Sequence, residues 1–307
     1  MRATPLLVLG DLCIDTVVPD RLPRSWGELG VSEEPVFRVP IDERVGGSAF
    51  QFARHAAAAG AQPLVVGCVG KDLAGDSVIA ALDRAGCCSH IQRAEVAPTA
   101  RTVVTFDAHG TRLLITTERS ANDLLSEDFV RSIALPSQAC LVWVAGHCLR
   151  DQAVPRWGAV AEALGRAREA GARVVVDVVP HDFHRLFTGL DDLRSQIGPV
   201  DGIAAELASL RRWLGIGSAH GAPSAQALAD TVSATLDLVP FTIVRYHHGT
   251  TYRQLAGART GFRAAEVRTV PDAGAFVGFG DFLASLAVRD YLEHLQSPAA
   301  HAEGTGF

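Results

Sequence analysis

Val277-Gly278-Phe279-Gly280-Asp281-Phe282-Leu283-Ala284-Ser285, late in a chain of 307 residues, decides how the rest is read. Two glycines one residue apart let the backbone turn tightly and approach a ligand closely. Downstream, Leu283, Leu286, Ala287, Tyr291 and Leu295 recur at helical spacing, so a helix is expected over 283–296. A glycine turn feeding a helix N-terminus presents free N–H groups at the positive end of the helix dipole, a site for anionic oxygens. Asp281 stands in the same turn. Amides that hold charge on a moving phosphoryl group, beside a carboxylate that accepts an alcohol's proton, suit phosphoryl transfer to an alcohol. The plain alternative is a turn with Asp281 as a helix N-cap.

Working outward, Leu6-Leu7-Val8-Leu9 is an apolar run closed by Gly10, the pattern of a strand buried on both faces. Asp11 and Asp15 follow it, where the carboxyl end of a parallel strand opens into a ligand crevice. Residues 20–33 are rich in Pro, Gly and charge and read as loop, and 35–39 alternate as a half-exposed strand. Val45-Gly46-Gly47-Ser48 is a second glycine turn feeding a helix that runs to about Gly60, with Gln51 on its first turns. Gly70-Lys71 invites a P-loop reading. Asp72 stands where Ser or Thr must bind magnesium, however, and Val65 where the upstream glycine is required, so that reading is rejected. Segments 101–106 and 111–117 alternate on either side of Asp107-Ala108-His109-Gly110, a β-hairpin. With 35–39 it forms a small separate sheet, a lid taken from about 34–40 and 100–117.

After Asn122-Asp123, strands near 139–145, 172–177, 201–204 and 240–245 alternate with helices near 153–170, 181–188, 205–215 and 224–236. Two last strands fall near 250–255 and 262–268. Repeated βα units with apolar strands give an α/β fold, a doubly wound, mostly parallel central sheet with helices on both faces. The whole chain, 1–307, reads as a single domain carrying the lid.

Composition narrows the class. With 48% hydrophobic residues the chain buries a large core. A net charge of −6 and no basic runs argue against nucleic acid or an anionic membrane as partner. No apolar run approaches the length that spans a bilayer. The apolar start before Gly10 is too short for a signal peptide, which points to a cytoplasmic protein. Six cysteines show no Cys-x-x-Cys or metal spacing and read as reduced thiols.

The strand-Gly-Asp…Asp15 start, the Gly46-Gly47 helix start, the lid hairpin and the Gly278-Phe279-Gly280-Asp281 turn occur in one order. Together they resemble the ribokinase-like (PfkB) family of carbohydrate kinases, whose members also phosphorylate nucleosides and vitamins, and the resemblance covers nearly the whole chain. It implies that Asp281 is the catalytic base and that the Gly278, Phe279 and Gly280 amides form the anion hole. It further implies that Asp15, with Asp11 beside it, holds substrate hydroxyls together with Gly46, Gly47 and Gln51, the last where the family usually has Asn. ATP and Mg²⁺, with a monovalent cation in addition, are the implied cofactors. The implied partner is a small sugar, polyol or nucleoside.

Several positions depart from the family. Phe279 replaces a small residue, and Ala275 stands where an Asp often precedes the turn. Glu206 and Ser209 occupy the places of the Asn-x-x-Glu that helps organise magnesium, which leaves Glu206 as the metal-side residue. The nucleotide-side Thr-x-Gly is replaced by Val244-Arg245-Tyr246-His247-His248-Gly249. Arg245 and Gly249, with Gly278 and Gly280, are then the nucleotide-binding candidates, Arg245 meeting a phosphate through its planar fork. All these departures lie on the nucleotide side. The rival reading is therefore a non-catalytic or regulatory sugar-binding relative. A dinucleotide-dependent oxidoreductase is disfavoured, because no Gly-x-Gly-x-x-Gly follows the first strand. The lid's outer face and edges need cover, so a homodimer through the lid is expected.

Overall fold

The computed structural model describes residues 5–21, 38–106, 112–135, 141–179, 183–216, 224–248, 251–259, 261, 263–269 and 278–295. Strands β1 (Pro5–Leu9), β2 (Cys13–Arg21) and β3 (Asp42–Gly46) lead into helix α1 (Ser48–Ala58). Next come β4 (Gln62–Gly70), α2 (Leu73–Arg84) and β5 (Cys88–Ala94), then β6 (Ala100–Phe106), β7 (Arg112–Thr116) and α3 (Glu127–Ser132). The alternating part follows: β8 (Leu141–Ala145), α4 (Pro155–Glu169), β9 (Arg173–Val178), α5 (Phe183–Leu186), α6 (Leu190–Ile197), β10 (Gly202–Glu206), α7 (Leu207–Leu214), α8 (Ala225–Leu236) and β11 (Phe241–His248). β12 (Thr251–Ala258), β13 (Arg263–Thr269) and α9 (Phe279–Leu295) are the last described elements.

Nine strands form the central sheet in the order β13-β12-β11-β10-β9-β8-β1-β4-β5. Pairings from β11 through β5 are parallel, and β12 and β13 add antiparallel at one edge. The period-2 geometry of a strand explains why continuous apolar runs were needed. Leu7 and Leu9 of β1 face a core made with α4, α6 and α8, while Leu6 and Val8 face a second core made with α1, α2 and α9. Two stacked ring pairs fix the second core, Phe52 on Trp143 and Phe241 on Tyr291, each with centroids 4.0 Å apart. Truncating a fully buried residue such as Leu7 to Ala costs about 2–5 kcal/mol. The doubly wound sheet read from the sequence is therefore the fold.

The lid is a four-stranded sheet, β3-β2-β6-β7, and its hairpin β6–β7 lies where the alternation placed it. Its other half is a correction. Residues 34–37 lie outside the described residues, and 38–40 are not a strand. The strands that complete the lid are β3 and β2. Asp15, expected in a loop after β1, lies on β2, paired opposite Arg44. The β-branched run Ile14, Thr16, Val17, Val18 carries that strand. Edge strand β5 was also unread; its half-buried, polar pattern gives little periodic signal.

Candidate active site

Crossing from β1 into the lid, the chain passes Gly10-Asp11-Leu12 and returns through β3 to the Gly46-Gly47 turn. A cavity of about 630 Å³ opens between these crossings and the sheet's carboxyl edge. Asp11, Asp15, Gly47, Gln51, Gly278 and Asp281 line it, so six of the residues singled out from the sequence meet in one place.

The two glycine turns are demanded by close packing. Gly47 has φ 90°, and a side chain there would strike the Asp11 carbonyl at 2.2 Å. At Gly46 an added Cβ would lie 2.0 Å from Asp15 Oδ2, so the glycine makes room for that carboxyl. Asp15 is 4% exposed and accepts a hydrogen bond from the Cys13 thiol at 3.1 Å. Burial pushes its pKa up, against the opposing pull of the Cys13 bond, Arg44 and Arg112.

Asp11 has a firmer tie. The buried Arg156 of α4 pairs with it and reaches Asp123 at 3.2 Å, and Arg150 meets Asp123 from the other side. Burial raises the Asp11 pKa, but Arg156, His147 and Arg150 together outweigh it and hold the carboxyl below its ordinary value. Asn122 clamps the same crossing, accepting from Leu12 N at 3.1 Å and donating to Leu12 O at 3.0 Å. Neither Arg156 nor Asn122 was singled out from the sequence. Each lies more than a hundred residues from its partner, and no local pattern marks it.

Gly278 begins the late turn at φ 86°, and the Gln51 amide oxygen sits where its side chain would be, 2.9 Å from an added Cβ. That oxygen is buried and has no hydrogen-bond partner among the described residues. Asp281 follows on the first turn of α9, half-buried at the edge of the cavity. Burial first, and the nearby Asp177 second, push its pKa up to about 7, while Arg245, Arg112 and Arg54 pull the other way. A carboxylate near neutrality is poised to take a proton. Phe279, the bulky departure in the turn, is buried edge-to-face against Tyr252 at 4.8 Å, with Phe282 on its other side at 5.7 Å. Its ring packs into the protein and leaves the turn clear.

Beneath the turn lies an ion cluster. Arg245, at the carboxyl half of β11, donates from Nη2 to Asp177 at 2.6 Å and from Nε to Glu206 at 3.3 Å. Burial lowers the pKa of this guanidinium, but Asp177 and Glu206 more than reverse that and raise it. A Cβ on Gly280 would lie 3.6 Å from Arg245 Nε, so the guanidinium rests against the turn. Its Nη1 is buried and makes no hydrogen bond with a described residue. Asp177 is a further residue that the sequence reading missed. Gly249 lies outside the described residues, as do Ala275 and the side chains of His247 and His248. Among the described residues no group of three or more His, Cys, Asp or Glu is arranged to hold a metal ion. No described helix is long and apolar enough to cross a membrane.

The sequence model of the pfkB family of carbohydrate kinases matches residues 7–235. The chain belongs to that family. The matched span takes in Asp11, Asp15, the Gly46-Gly47 turn and Gln51, and stops before the Asp281 turn. Curated relatives include the bifunctional protein HldE of Ectopseudomonas mendocina (strain ymp), 42% identical over 101 residues, which are 31% of this chain and 20% of that protein. The HldE of Chromohalobacter salexigens is 26% identical over 205 residues, 64% of this chain and 40% of that protein. The chain thus spans less than half the length of these relatives. Among solved structures, an Arabidopsis thaliana ribokinase complexed with ribose and ATP superposes with a TM-score of 0.65 at 20% identity, covering 95% of this chain and 86% of that one. An adenosine kinase from Sinorhizobium meliloti gives 0.66 at 17% identity, covering 94% and 88%. At such identities the likeness is one of fold.

Proposed function

We propose that this pfkB-family chain transfers the γ-phosphoryl group of ATP to an alcohol group of a small sugar, polyol or nucleoside. One observation carries the reading: Asp281, its pKa pushed up to about 7 at a left-handed glycine turn, shares a cavity with the buried Asp15 of the lid. Asp15 and the Gly46-Gly47 turn hold the acceptor. Asp281 takes the proton of the attacking hydroxyl, and the 278–280 amides face the charge on the phosphoryl group. Asp11, tied to Arg156, keeps the crossing rigid beside them.

The described residues fit the phosphate end of a nucleotide. The N-terminus of α9 and the guanidinium of Arg245, whose Nη1 has no hydrogen-bond partner among the described residues, lie at the same turn. Arg245, Gly278 and Gly280 would hold the phosphates. Glu206 would be the metal-side residue for Mg²⁺, and a monovalent cation follows from family likeness alone. When bound, ATP with Mg²⁺ supplies the phosphoryl group and part of its charge neutralisation. The non-catalytic rival drew strength from Phe279, and the packing of that ring away from the turn favours the kinase reading.

A phosphorylation screen over sugars, polyols and nucleosides, with Asp281→Asn run alongside, tests this. Wild type should label one class of acceptor. The variant should bind MgADP as well as wild type while losing about two to four orders of magnitude in turnover, the range of a general base. Near wild-type turnover in the variant, or no nucleotide binding by either protein, would contradict the proposal.

A further inference from the structure

The cavity's other cations are held by carboxylates: Arg150 pairs with Asp123, and the Arg156 beside it with Asp11 and Asp123. Arg112 is different. It stands on β7, the lid's edge strand, lines the cavity, and its guanidinium makes no hydrogen bond or ion pair with a described residue. Its charge acts on Asp15, on Asp281 and on Tyr252 of β12, three groups that bracket the space between the acceptor side and the Asp281 turn. A long, planar cation in that space lacks only an anion to bind. Of the two carboxylates it senses, Asp15 already takes the Cys13 thiol. The phosphoryl group in transfer is the anion that passes between them.

We propose that Arg112 is a further catalytic residue, a lid arginine that closes over Asp281 and binds the equatorial oxygens of the phosphoryl group as it moves. This rests on the phosphotransferase reading above. In the step, the alcohol oxygen bonds to Pγ and the bond from Pγ to the bridging oxygen breaks. ADP leaves with that electron pair, and the alcohol's proton passes to Asp281. No further reactant is needed. Arg245 meets the group from beneath the turn, and Arg112 meets it from the lid, so closure of the lid completes the charge complement.

Arg112→Gln and Arg112→Lys test the assignment, and because Arg112 is an exposed edge-strand residue neither change threatens folding. Binding of MgADP is measured by calorimetry with and without aluminium fluoride, a mimic of the phosphoryl group in transfer. Wild type should bind MgADP more tightly with fluoride present. Arg112→Gln should bind MgADP alone within about twofold of wild type yet lose tenfold or more of the tightening, with Arg112→Lys in between. With an acceptor from the screen, kcat should fall by at least about a hundredfold in Arg112→Gln while the acceptor KM barely moves, as for an arginine supplied in cis to a phosphoryl group. Unchanged tightening in Arg112→Gln overturns the proposal. A raised acceptor KM at unchanged kcat also overturns it, placing Arg112 on the acceptor instead. If wild type binds no MgADP, the phosphotransferase reading itself falls and takes this one with it.

Discussion

The acceptor side and the nucleotide side of this cavity each hold a buried arginine between two carboxylates, and they differ in the polar atoms they leave unpaired among the described residues. On the acceptor side most polar groups are matched, and the buried Gln51 Oε1 and Ser48 Oγ have no hydrogen-bond partner among the described residues. Asp15 takes the Cys13 thiol and fills the space left by Gly46, Asp11 takes Arg156, and Asn122 closes on both backbone groups of Leu12. On the nucleotide side, the arginine between two carboxylates leaves a buried nitrogen, Arg245 Nη1, with no hydrogen-bond partner among the described residues. A buried oxygen without a partner suits a ligand hydroxyl, whereas a buried guanidinium nitrogen without one suits an anion. On the proposed reading, that difference separates the half that positions an alcohol from the half that holds a phosphate.

Breaking the nucleotide-side cluster should have the largest effect. Arg245→Met leaves Asp177 and Glu206 uncompensated, and removing one partner of a buried ion cluster costs about 3–5 kcal/mol. Chemical denaturation should show that loss, and Arg245→Met with Asp177→Asn should recover part of it. Recovery of nothing would mean that the cluster is not one coupled unit. On the acceptor side, Asp15→Ala should weaken acceptor binding by about 1.5–3 kcal/mol, the worth of hydrogen bonds to a charged group, and leave MgADP affinity unchanged. Calorimetry on each ligand separately checks whether the two halves are independent. At the lid, Leu113 and Ile115 of β7 are more than half exposed on one face. A charge at either, Leu113→Glu or Ile115→Glu, should split the proposed lid dimer in light scattering while shifting stability by no more than about 0.5 kcal/mol. A wild-type monomer would remove the dimer. The last prediction concerns pH. Burial holds Asp281 protonated up to about pH 7 in the folded chain, against an ordinary value of 3.8, so folding takes up a proton in that window. The stability it contributes therefore falls as pH rises from about 4 to 7 and is flat above. Asp281→Asn should flatten that slope in thermal melts taken across the same range.

The halves also differ in how far they could be read from sequence. The sheet was legible because strands buried on both faces must be continuously apolar, and 6–9, 141–145 and 174–176 are. The glycine turns were legible because only glycine tolerates the approach seen at Gly46 and Gly47. Asp15 was found as a residue but not as part of a strand, since one acidic group in a β-branched run reads as the end of an element. Arg156, Asn122, Asp177 and Arg112 stayed hidden. Their roles come from pairing across the fold, and a lone arginine or asparagine carries no local period. Phe279 was legible as a departure, but its meaning was not. Whether a bulky ring blocks a turn depends on where it points, and here Tyr252 gives it a place to go.

The central claim, that Asp281 is a base tuned to neutrality by burial and by Asp177, is tested most directly by the pH dependence of kcat for phosphoryl transfer. A base must be ionised to work, so the rate should rise with pH through a single limb near pH 7 and level off above it. In Asp177→Asn, which removes the negative neighbour, the limb should move to lower pH. A limb that stays in place in that variant, or a rate already flat from pH 5 upward, would contradict the account.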